Sequence, residues 1–453
     1  MEKRAFLKTT SATVIGSLLT PLISCNTPQE QQTVSQEARK NWAGNLTYST
    51  DQLYEPASVE EAQEMVKSLD KVKALGTRHC FNNIADSKVN QLSLQKLTQI
   101  SIDEDANTVT VDAGVNYGLL SPYLHERGYA LHNLASLPHI SVAGACATAT
   151  HGSGVNNGNL PSAVKAIEFI SANGELVKLS READGDKFNG AVVNLGALGV
   201  VTHLTLDIQP TFKMRQEVYL SLPVAQLEEH FDEIMSAGYS VSLFTDWKTD
   251  QVNQVWIKRK VDDTKGDAEA EFYGARLADR DVHPIIEISA ENCTQQMGIA
   301  GPWYERMPHF RMDFTPSSGT ELQAEYFVPR QHAVAAFQAV QTLKDQIAPL
   351  LMISEIRTIA ADDFWMSPCY QQDSVAFHFT CEQDWENLQH LLPKIEEALQ
   401  PYGVRPHWGK MFTMSPDRLA SLYPKLTEFR NLVKEYDPQG KFSNAYLQRN
   451  ILV

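Results

Sequence analysis

Residues 136–154 read SLPHISVAGACATATHGSG, from Ser136 to Gly154, and they are the most informative stretch of the chain. From Ser141 onward only Val142 and His151 are larger than Gly, Ala, Ser, Thr or Cys. Such small side chains let the backbone approach a bulky ligand, and its N–H groups can then cradle phosphates. The composition differs from that of a flexible linker. The G-x-G-x-x-G motif of nicotinamide-nucleotide sites, which follows a strand, is not present in this stretch. The stretch therefore predicts a nucleotide site without the nicotinamide fingerprint; the alternative is a tightly packed Ala/Gly core segment.

The length, net charge and cysteine spacing of the chain limit the classes of protein to which it can belong. With 453 residues it is long enough for two or three domains. A net charge of −16 argues against nucleic acid and anionic membrane surfaces as partners, because both need a basic patch. The six cysteines include no C-x-x-C pair, so the spacing predicts neither a zinc site nor a dense disulfide framework.

The first 25 residues resemble a bacterial lipoprotein signal. A basic start, Lys3 to Lys8, precedes an apolar run, Ala12 to Ile23, that is too short to span a bilayer. The ending Leu22-Ile23-Ser24-Cys25 resembles a lipobox, and Lys3-Arg4 resembles a weakened twin-arginine signal. We therefore predict an exported periplasmic or cell-envelope protein, lipidated on Cys25 and touching the membrane only through that anchor. The alternative is a frayed N-terminus on a cytoplasmic protein. Residues 26–40 are predicted to be a disordered tether.

Residues 41–210 have the pattern of an α+β nucleotide-binding domain. Their predicted elements are a helix opened by the Ser58-x-x-Glu61 capping box, a strand over 71–75, a strand over 108–114, a helix over 117–127, a hairpin around Asn173-Gly174 and a strand over 200–206. Two glycine-rich loops, at Gly76 and in residues 136–154, are far apart in the sequence. We expect both to meet one long ligand.

Residues 211–400 are predicted to form a substrate domain around a sheet. Glu355 and Arg357 alternate with apolar residues and share one face of a strand, and His378 and Thr380 do the same on the next strand. Surface ion pairs are the ordinary interpretation of such a pattern. Inside an aromatic sheet, however, these pairs predict a polar pocket floor suited to a polyhydroxylated ligand. Further predicted elements are strands over 241–247, 255–258 and 321–328, the last carrying Glu325, and a helix over 331–347.

Residues 401–453 are predicted to return to the nucleotide domain and complete the site. Their first part, Arg405 to Lys410, mixes aromatic residues, glycine and charge. From spacing alone, Lys410 is predicted to be a solvated loop lysine, with a buried cation near the ligand as the alternative.

Four segments together resemble a known family: Gly76 to His79, Ser136 to Gly144, Thr150 to Gly154 and Gly196 to Val201. They resemble the PCMH-type FAD domain of the vanillyl-alcohol-oxidase superfamily and, within it, the alditol (xylitol) oxidases. The likeness covers residues 41–445 and implies a two-subdomain FAD domain, an antiparallel-sheet cap domain and a C-terminal tail that returns to the FAD domain. The residues it implies around FAD are Gly76, Thr77, Arg78, His79, Cys80, Ser136, Ser141, Gly144, Thr148, His151, Gly152, Gly154 and Val201.

The resemblance implies that His79 is bonded covalently to the flavin. The family loop often reads Gly-x-Gly-His-Ser, whereas this chain has Arg78 and Cys80 on either side of the histidine. If the missing glycine supplies a positive φ, Arg78 would be strained, and the covalent bond depends on that strain being tolerated. Without the family, His79 would be taken for a surface histidine and Cys80 for inert packing.

The resemblance further implies an enzyme that oxidises the terminal alcohol of a polyol to the aldose while dioxygen becomes hydrogen peroxide. Arg357 and Lys410 would be catalytic, and Ser136, Glu355, His378 and Thr380 would bind the substrate. No metal is implied, and we expect a monomer. Three alternatives stay open: an aldonolactone oxidoreductase, a polyol dehydrogenase that uses a quinone or cytochrome, and an anchored flavoprotein without turnover.

Overall fold

The computed structural model describes residues 38–452 except 263–267 and 313–319. The predicted signal segment, residues 1–25 with Cys25, and the tether up to residue 37 lie outside the described residues. Within the described ranges, none of the helices has the length and apolar character needed to cross a membrane.

The described strands gather into sheets that are mostly antiparallel. In chain order they are β1 (Leu53–Tyr54), β2 (Lys73–Ala74), β3 (Gln91–Leu92), β4 (Ile100–Asp103), β5 (Thr108–Asp112), β6 (Tyr129–Ala130), β7 (Val164–Ile170), β8 (Leu176–Ser180), β9 (Val200–Asp207), β10 (Gln209–Pro210), β11 (Lys213–Pro223), β12 (Ser240–Thr245), β13 (Gln251–Lys260), β14 (Glu271–Phe272), β15 (Ala275–Leu277), β16 (Gly301–Pro302), β17 (Glu321–Pro329), β18 (Leu351–Ile359), β19 (Ser374–Glu382) and β20 (Arg405–Pro406).

The described α-helices are shorter and cover the sheets. They are α1 (Val59–Ser68), α2 (Tyr117–Glu126), α3 (Val142–Ala147), α4 (Arg181–Val192, kinked at Gly185), α5 (Val224–Glu229), α6 (Phe231–Met235), α7 (Ala333–Gln341), α8 (Lys344–Ile347), α9 (Trp385–Leu399), α10 (Pro416–Leu422), α11 (Leu426–Tyr436) and α12 (Ala445–Leu447).

The described part of the N-terminal half contains two larger sheets and one antiparallel pair of short strands, β6 with β10. The strand order β4-β5-β9-β7-β8 makes an antiparallel sheet of five strands, and β1-β3-β2 makes a parallel sheet of three. The predicted capping box is present, because the Ser58 side chain accepts the Glu61 N–H at the start of α1. The predicted hairpin is also confirmed: β7 and β8 pair antiparallel, and Gly174 between them has φ of 80°.

The C-terminal half is built on a second, larger antiparallel sheet in the order β14-β15-β11-β13-β12-β18-β19-β17-β20, with β16 beside β11. Helices α7 and α9 pack against β17. The two strands with predicted polar pairs, β18 and β19, are direct neighbours, as their patterns predict. Their register places Glu355 opposite His378, and β17 places Glu325 opposite the same histidine. These three residues, the polar row, therefore lie side by side across three strands.

One predicted helix is wrong in extent. The single helix expected over 331–347 ends at Gln341, and α8 begins only at Lys344. The Thr342 hydroxyl donates to the carbonyl of Ala339 at 2.7 Å, a local bond that competes with helical continuation at the end of α7. The domain boundaries after residues 210 and 400 stay predictions.

Candidate active site

A single cavity of about 640 Å³ joins residues 136–154, here called the small-residue stretch, to the polar row. The residues predicted to bind substrate or to act in catalysis all line it: Ser136, Glu355, Arg357, His378, Thr380 and Lys410. Most of the residues predicted around the cofactor line it too: Gly76, Thr77, Arg78, His79, Cys80, Ser136, Ser141, Gly144, Thr148, His151 and Val201. Segments separated by more than 300 positions in the sequence thus meet at one site.

Gly152 and Gly154 do not line this cavity, and their place among the cofactor-binding residues stays a prediction. Gly152 packs against Asn133 and the backbone of Leu134. The N–H of Gly154 donates to the carbonyl of Thr358 at 2.9 Å, and its φ of 136° is a conformation that favours glycine. Both glycines let the chain turn closely behind the site.

The small-residue stretch forms a closely packed wall of the cavity. Ser141 begins α3 by accepting the Gly144 N–H on its side-chain oxygen at 3.3 Å. A Cβ atom added to Gly76 or Gly144 would lie 3.0 or 2.7 Å from that oxygen. The absence of side chains at these two positions therefore lets the Gly76 loop and α3 lie close together beside the cavity.

His79 faces the cavity with one ring nitrogen unpartnered. Its ring stacks on Trp42 with centroids 5.3 Å apart, and Nδ1 lies 3.2 Å from the Thr77 hydroxyl. Nε2 is buried and has no hydrogen-bond partner. Burial, with the nearby charge of His139 as a smaller cause, lowers the pKa of His79 to about 4, so the imidazole is neutral at pH 7.

Arg78 adopts the strained conformation that its substitution for glycine predicts, with φ of 66°. A left-handed conformation costs a residue with a side chain about 1–2 kcal/mol, and glycine avoids this cost. Arg78→Gly is therefore expected to stabilise the protein by about 1 kcal/mol, measured by denaturant unfolding. Arg78→Ala is the matched control, because it removes the guanidinium and keeps the Cβ atom. Equal stabilisation by both variants would contradict the strain argument.

Lys410 lies in the cavity beside the polar row, and its spacing-based prediction as a solvated loop lysine is wrong. Its Nζ is 2.8 Å from Glu325 Oε2 and 2.7 Å from His378 Nδ1. An ammonium only donates, so His378 accepts at Nδ1 and its Nε2–H donates to the Thr380 hydroxyl at 3.0 Å. His378 is thereby held in one tautomer.

Arg357 reaches from β18 to both sides of the cavity. One terminal nitrogen, Nη2, donates to Glu325 Oε1 at 3.2 Å, and the other, Nη1, donates to the Ser136 hydroxyl at 3.2 Å. Its Nε lies 3.4 Å from Glu355 Oε1. The guanidinium therefore links the polar row to the beginning of the small-residue stretch.

Glu325 is the shared counter-ion of Lys410 and Arg357, and its side chain is 0% exposed. Burial raises the pKa of this carboxyl, but Lys410, His151 and His378 together hold the pKa well below its usual range. His151 contributes from the small-residue stretch, with Nε2 3.1 Å from Glu325 Oε1. The strand predicted over 321–328 includes Glu325, but no role for this residue follows from the sequence pattern.

Burial sets the protonation of the other polar groups. Burial and the neighbouring Lys410 lower the pKa of His378 to about 4. Burial lowers the pKa of Lys410, while the Glu325 carboxylate opposes that shift. The side chains of Lys410 and Arg357 thus face the cavity together with the carboxyl groups of Glu325 and Glu355.

Comparisons with known proteins agree with this geometry. A family model described as FAD binding domain matches residues 50–180, and one described as D-arabinono-1,4-lactone oxidase matches residues 317–450. The chain is 47% identical over 413 residues to an alditol oxidase from a Streptomyces species, covering 90% of this chain and 97% of the relative. The chain belongs to the alditol oxidase family. As a member it is an FAD-dependent oxidoreductase.

More distant relatives share the fold of the alditol oxidase family. An L-gulono-1,4-lactone dehydrogenase from Mycobacterium tuberculosis is 27% identical, covering 90% of this chain and 98% of the relative. The solved structure of cholesterol oxidase from B. sterolicum superimposes with a TM-score of 0.74 at 15% identity, covering 91% of this chain and 96% of that one. The predicted α+β fold, an FAD-binding part with an antiparallel sheet, is confirmed.

The cavity fits the FAD of an alditol oxidase. Its wall combines glycines that admit no side chain, Gly76 and Gly144, with the buried, unpartnered Nε2 of His79. Each feature is expected where a large ligand contacts the backbone and a histidine faces that ligand. The Gly76–Cys80 loop and the small-residue stretch would hold the cofactor, while the polar row is left for the substrate.

Proposed function

We propose that this protein oxidises the terminal primary alcohol of a linear polyol, such as xylitol or sorbitol, to the aldose, while dioxygen is reduced to hydrogen peroxide. The observation that carries the proposal is the pairing of Arg357 and Lys410 with one buried carboxylate, Glu325, inside the cavity that the FAD-binding loops also line. The 47% identity to an alditol oxidase supports the same substrate class.

The polar groups of the cavity are suited to a chain of hydroxyl groups. We propose that Glu355 accepts hydrogen bonds from the substrate, and that Ser136, His378 and Thr380 complete the set. Glu355, His378 and Thr380 are buried, and Ser136 is partly exposed. A buried polar group that loses its partner costs about 1–3 kcal/mol, so removing one hydroxyl from the substrate should weaken binding by that order.

The cations act where negative charge develops. The bound FAD supplies the two-electron acceptor, which dioxygen reoxidises. Arg357 and Lys410 would stabilise negative charge on the substrate oxygen as its proton passes to solvent and the C1 hydride passes to the two-electron acceptor. Preorganised charges of this kind are usually the largest catalytic term. His378 accepts from Lys410 at Nδ1 and holds its own proton toward Thr380. In addition to its proposed contact with the substrate, His378 thereby orients Lys410.

The function is tested by mixing the purified protein with xylitol under anaerobic conditions and following the flavin absorbance at 450 nm. Rapid bleaching by xylitol, with colour and hydrogen peroxide returning in air, supports a polyol oxidase. Bleaching by L-gulono-1,4-lactone alone would support the aldonolactone alternative. Bleaching by xylitol with slow recovery in air, but fast recovery with a quinone, would support a dehydrogenase.

We also propose that His79 carries the flavin covalently. The unpartnered Nε2, the Trp42 stacking and the neutral imidazole support this role. Acid-denatured wild-type protein should then show flavin fluorescence on a gel, and His79→Ala should show none. Arg78→Ala is the control, since it changes the neighbouring residue and leaves the imidazole. A dark wild-type band from a yellow preparation would contradict the covalent bond.

Export as a lipoprotein is a separate proposal that rests on residues 1–25 alone. The lipobox-like Leu22-Ile23-Ser24-Cys25 supports lipidation of Cys25. Expression of the full chain in a bacterial host, followed by mass spectrometry of the N-terminal peptide, tests it. A lipidated Cys25 is expected, and a Cys25→Ala chain should lose membrane association. An unprocessed N-terminus in the soluble cytoplasmic fraction would contradict the proposal.

A further inference from the structure

A fully buried lysine lies behind the polar row and belongs to none of the groups discussed so far. Lys258, on β13, is 1% exposed. Its Nζ donates to the carbonyls of Met307 and Pro308 at 2.5 and 2.9 Å, and it lies 3.1 Å from His309 Nδ1. All three ammonium hydrogens thus have an acceptor within reach. An amino group buried this completely is costly unless every donor is paired.

His309 connects this lysine to the polar row. Because Lys258 can only donate, His309 accepts at Nδ1 and carries its hydrogen on Nε2, which lies 2.7 Å from Glu355 Oε1. The rings of Phe244 and Trp256 flank the imidazole, with centroids 5.4 and 5.2 Å away. The imidazole is therefore fixed in both tautomer and orientation.

This arrangement leaves one oxygen of Glu355 for a ligand. Its contacts with His309 and Arg357, at 2.7 and 3.4 Å, both use Oε1. Glu355 lines the cavity, so Oε2 is the oxygen that can accept hydroxyl groups there. Burial, reinforced by Lys258, lowers the pKa of His309 to about 4, which keeps the imidazole neutral in this role.

We propose that Lys258 and His309 form a positioning pair that orients Glu355 for binding of the substrate hydroxyls. The inference rests on the proposed function, because it concerns how the same pocket holds a hydroxylated substrate. Neither residue needs to touch the substrate. Lys258 fixes the segment that carries His309 through the two main-chain carbonyls, and His309 fixes the carboxylate.

The test compares two replacements of the same histidine in the FAD-loaded enzyme. His309→Leu removes the donor to Glu355, whereas His309→Gln keeps an amide donor near the position of Nε2. We expect His309→Leu to raise the dissociation constant of xylitol, from the concentration dependence of anaerobic flavin reduction, by roughly tenfold to a hundredfold. The limiting reduction rate should change far less, and His309→Gln should recover most of the affinity.

Lysine variants provide the second comparison. Burial lowers the pKa of Lys258 to about 7, although the Glu355 carboxylate opposes the shift, so assays at pH 6 keep the ammonium. Lys258→Met should weaken xylitol binding in the same direction as His309→Leu. Lys260→Met is the matched control on the same strand, because its ammonium lies over Phe212 and Tyr239, 4.2 and 4.7 Å from the ring centroids. Flavin content and thermal unfolding are measured for every variant.

The outcomes separate this inference from the proposed function. A His309→Leu enzyme with the wild-type dissociation constant, or a His309→Gln enzyme as impaired as His309→Leu, would overturn the positioning role. If the wild-type flavin is reduced by L-gulono-1,4-lactone and not by xylitol, the polyol proposal fails, and the same comparison of variants is made with the lactone. If Lys258→Met does not fold, the two His309 variants decide the inference by themselves.

Discussion

Replacement of Lys410 by methionine is expected to lower the rate of flavin reduction by a polyol by about 100- to 1000-fold. Methionine fills nearly the same volume, so the cavity keeps its shape and the ammonium alone is lost. The remaining cation, Arg357, still pairs with Glu325. The decrease in the reduction rate therefore measures how much a second fixed positive charge stabilises the negative charge that develops in the transition state.

The limiting rate of anaerobic reduction, measured by stopped flow, checks this prediction. Lys410→Arg should keep more activity than Lys410→Met, because it retains a charge. Lys425→Met is the control for removing a lysine elsewhere, since Lys425 pairs at the surface with Asp186 at 3.2 Å. A Lys410→Met enzyme that raises KM and leaves the limiting rate unchanged would show that Lys410 only binds substrate.

Replacement of Glu325 by glutamine is expected to have the largest effect on stability. The substitution keeps the shape of the side chain and removes the one charge that both Arg357 and Lys410 face. Breaking a buried ion pair by removing one partner typically costs roughly 3–5 kcal/mol, because the other charge stays buried. Denaturant unfolding of the FAD-loaded protein measures the loss.

The same variant has a predictable pH dependence. Lys410 is charged below its pKa, and the Glu325 carboxylate raises that pKa against the effect of burial. Without the carboxylate the pKa falls, so the ammonium is lost at lower pH. The alkaline limb of kcat/KM should therefore move to lower pH by roughly 1–3 pH units.

Glu396→Gln is the matched control for Glu325→Gln. Glu396 is a buried carboxyl whose partners are the neutral side chains of Tyr326 and Thr413, at 2.9 and 2.7 Å. The Glu396→Gln enzyme should keep the alkaline limb of kcat/KM at the same pH as the wild type. An unchanged limb in Glu325→Gln as well would show that Lys410 does not set the alkaline limit of activity.

Much of the site could be predicted because its signals are local. Alternation along a strand put Glu355 with Arg357 and His378 with Thr380, and the two strands are neighbours in the sheet. The small residues of 136–154 indicated a close backbone wall, which the packing of Gly144 against Ser141 confirms. The missing glycine at position 78 predicted a strained residue, and Arg78 has the positive φ.

The rest of the site depends on contacts that no local pattern encodes. Glu325 follows Glu321 and Gln323 at alternate positions of one strand, whereas its partners Arg357 and Lys410 lie 32 and 85 positions later in the chain. His309 lies in a segment without periodicity, so only the folded chain reveals its contact with Glu355. The alternation of Glu321, Gln323 and Glu325 with apolar residues was the available signal for Glu325, and it gives no partner.

The polar row also constrains how the sheet can assemble. Strands β17, β18 and β19 are buried on both faces, so apolar pairing alone distinguishes poorly between alignments that differ by two residues. A slip of two positions would separate Glu325 and Glu355 from His378 and leave charges in an apolar interior. The residues proposed to perform the chemistry thus also select the correct alignment of the strands during folding. Variants that remove them should therefore be examined for mispaired and aggregated chains before their lost activity is assigned to chemistry alone.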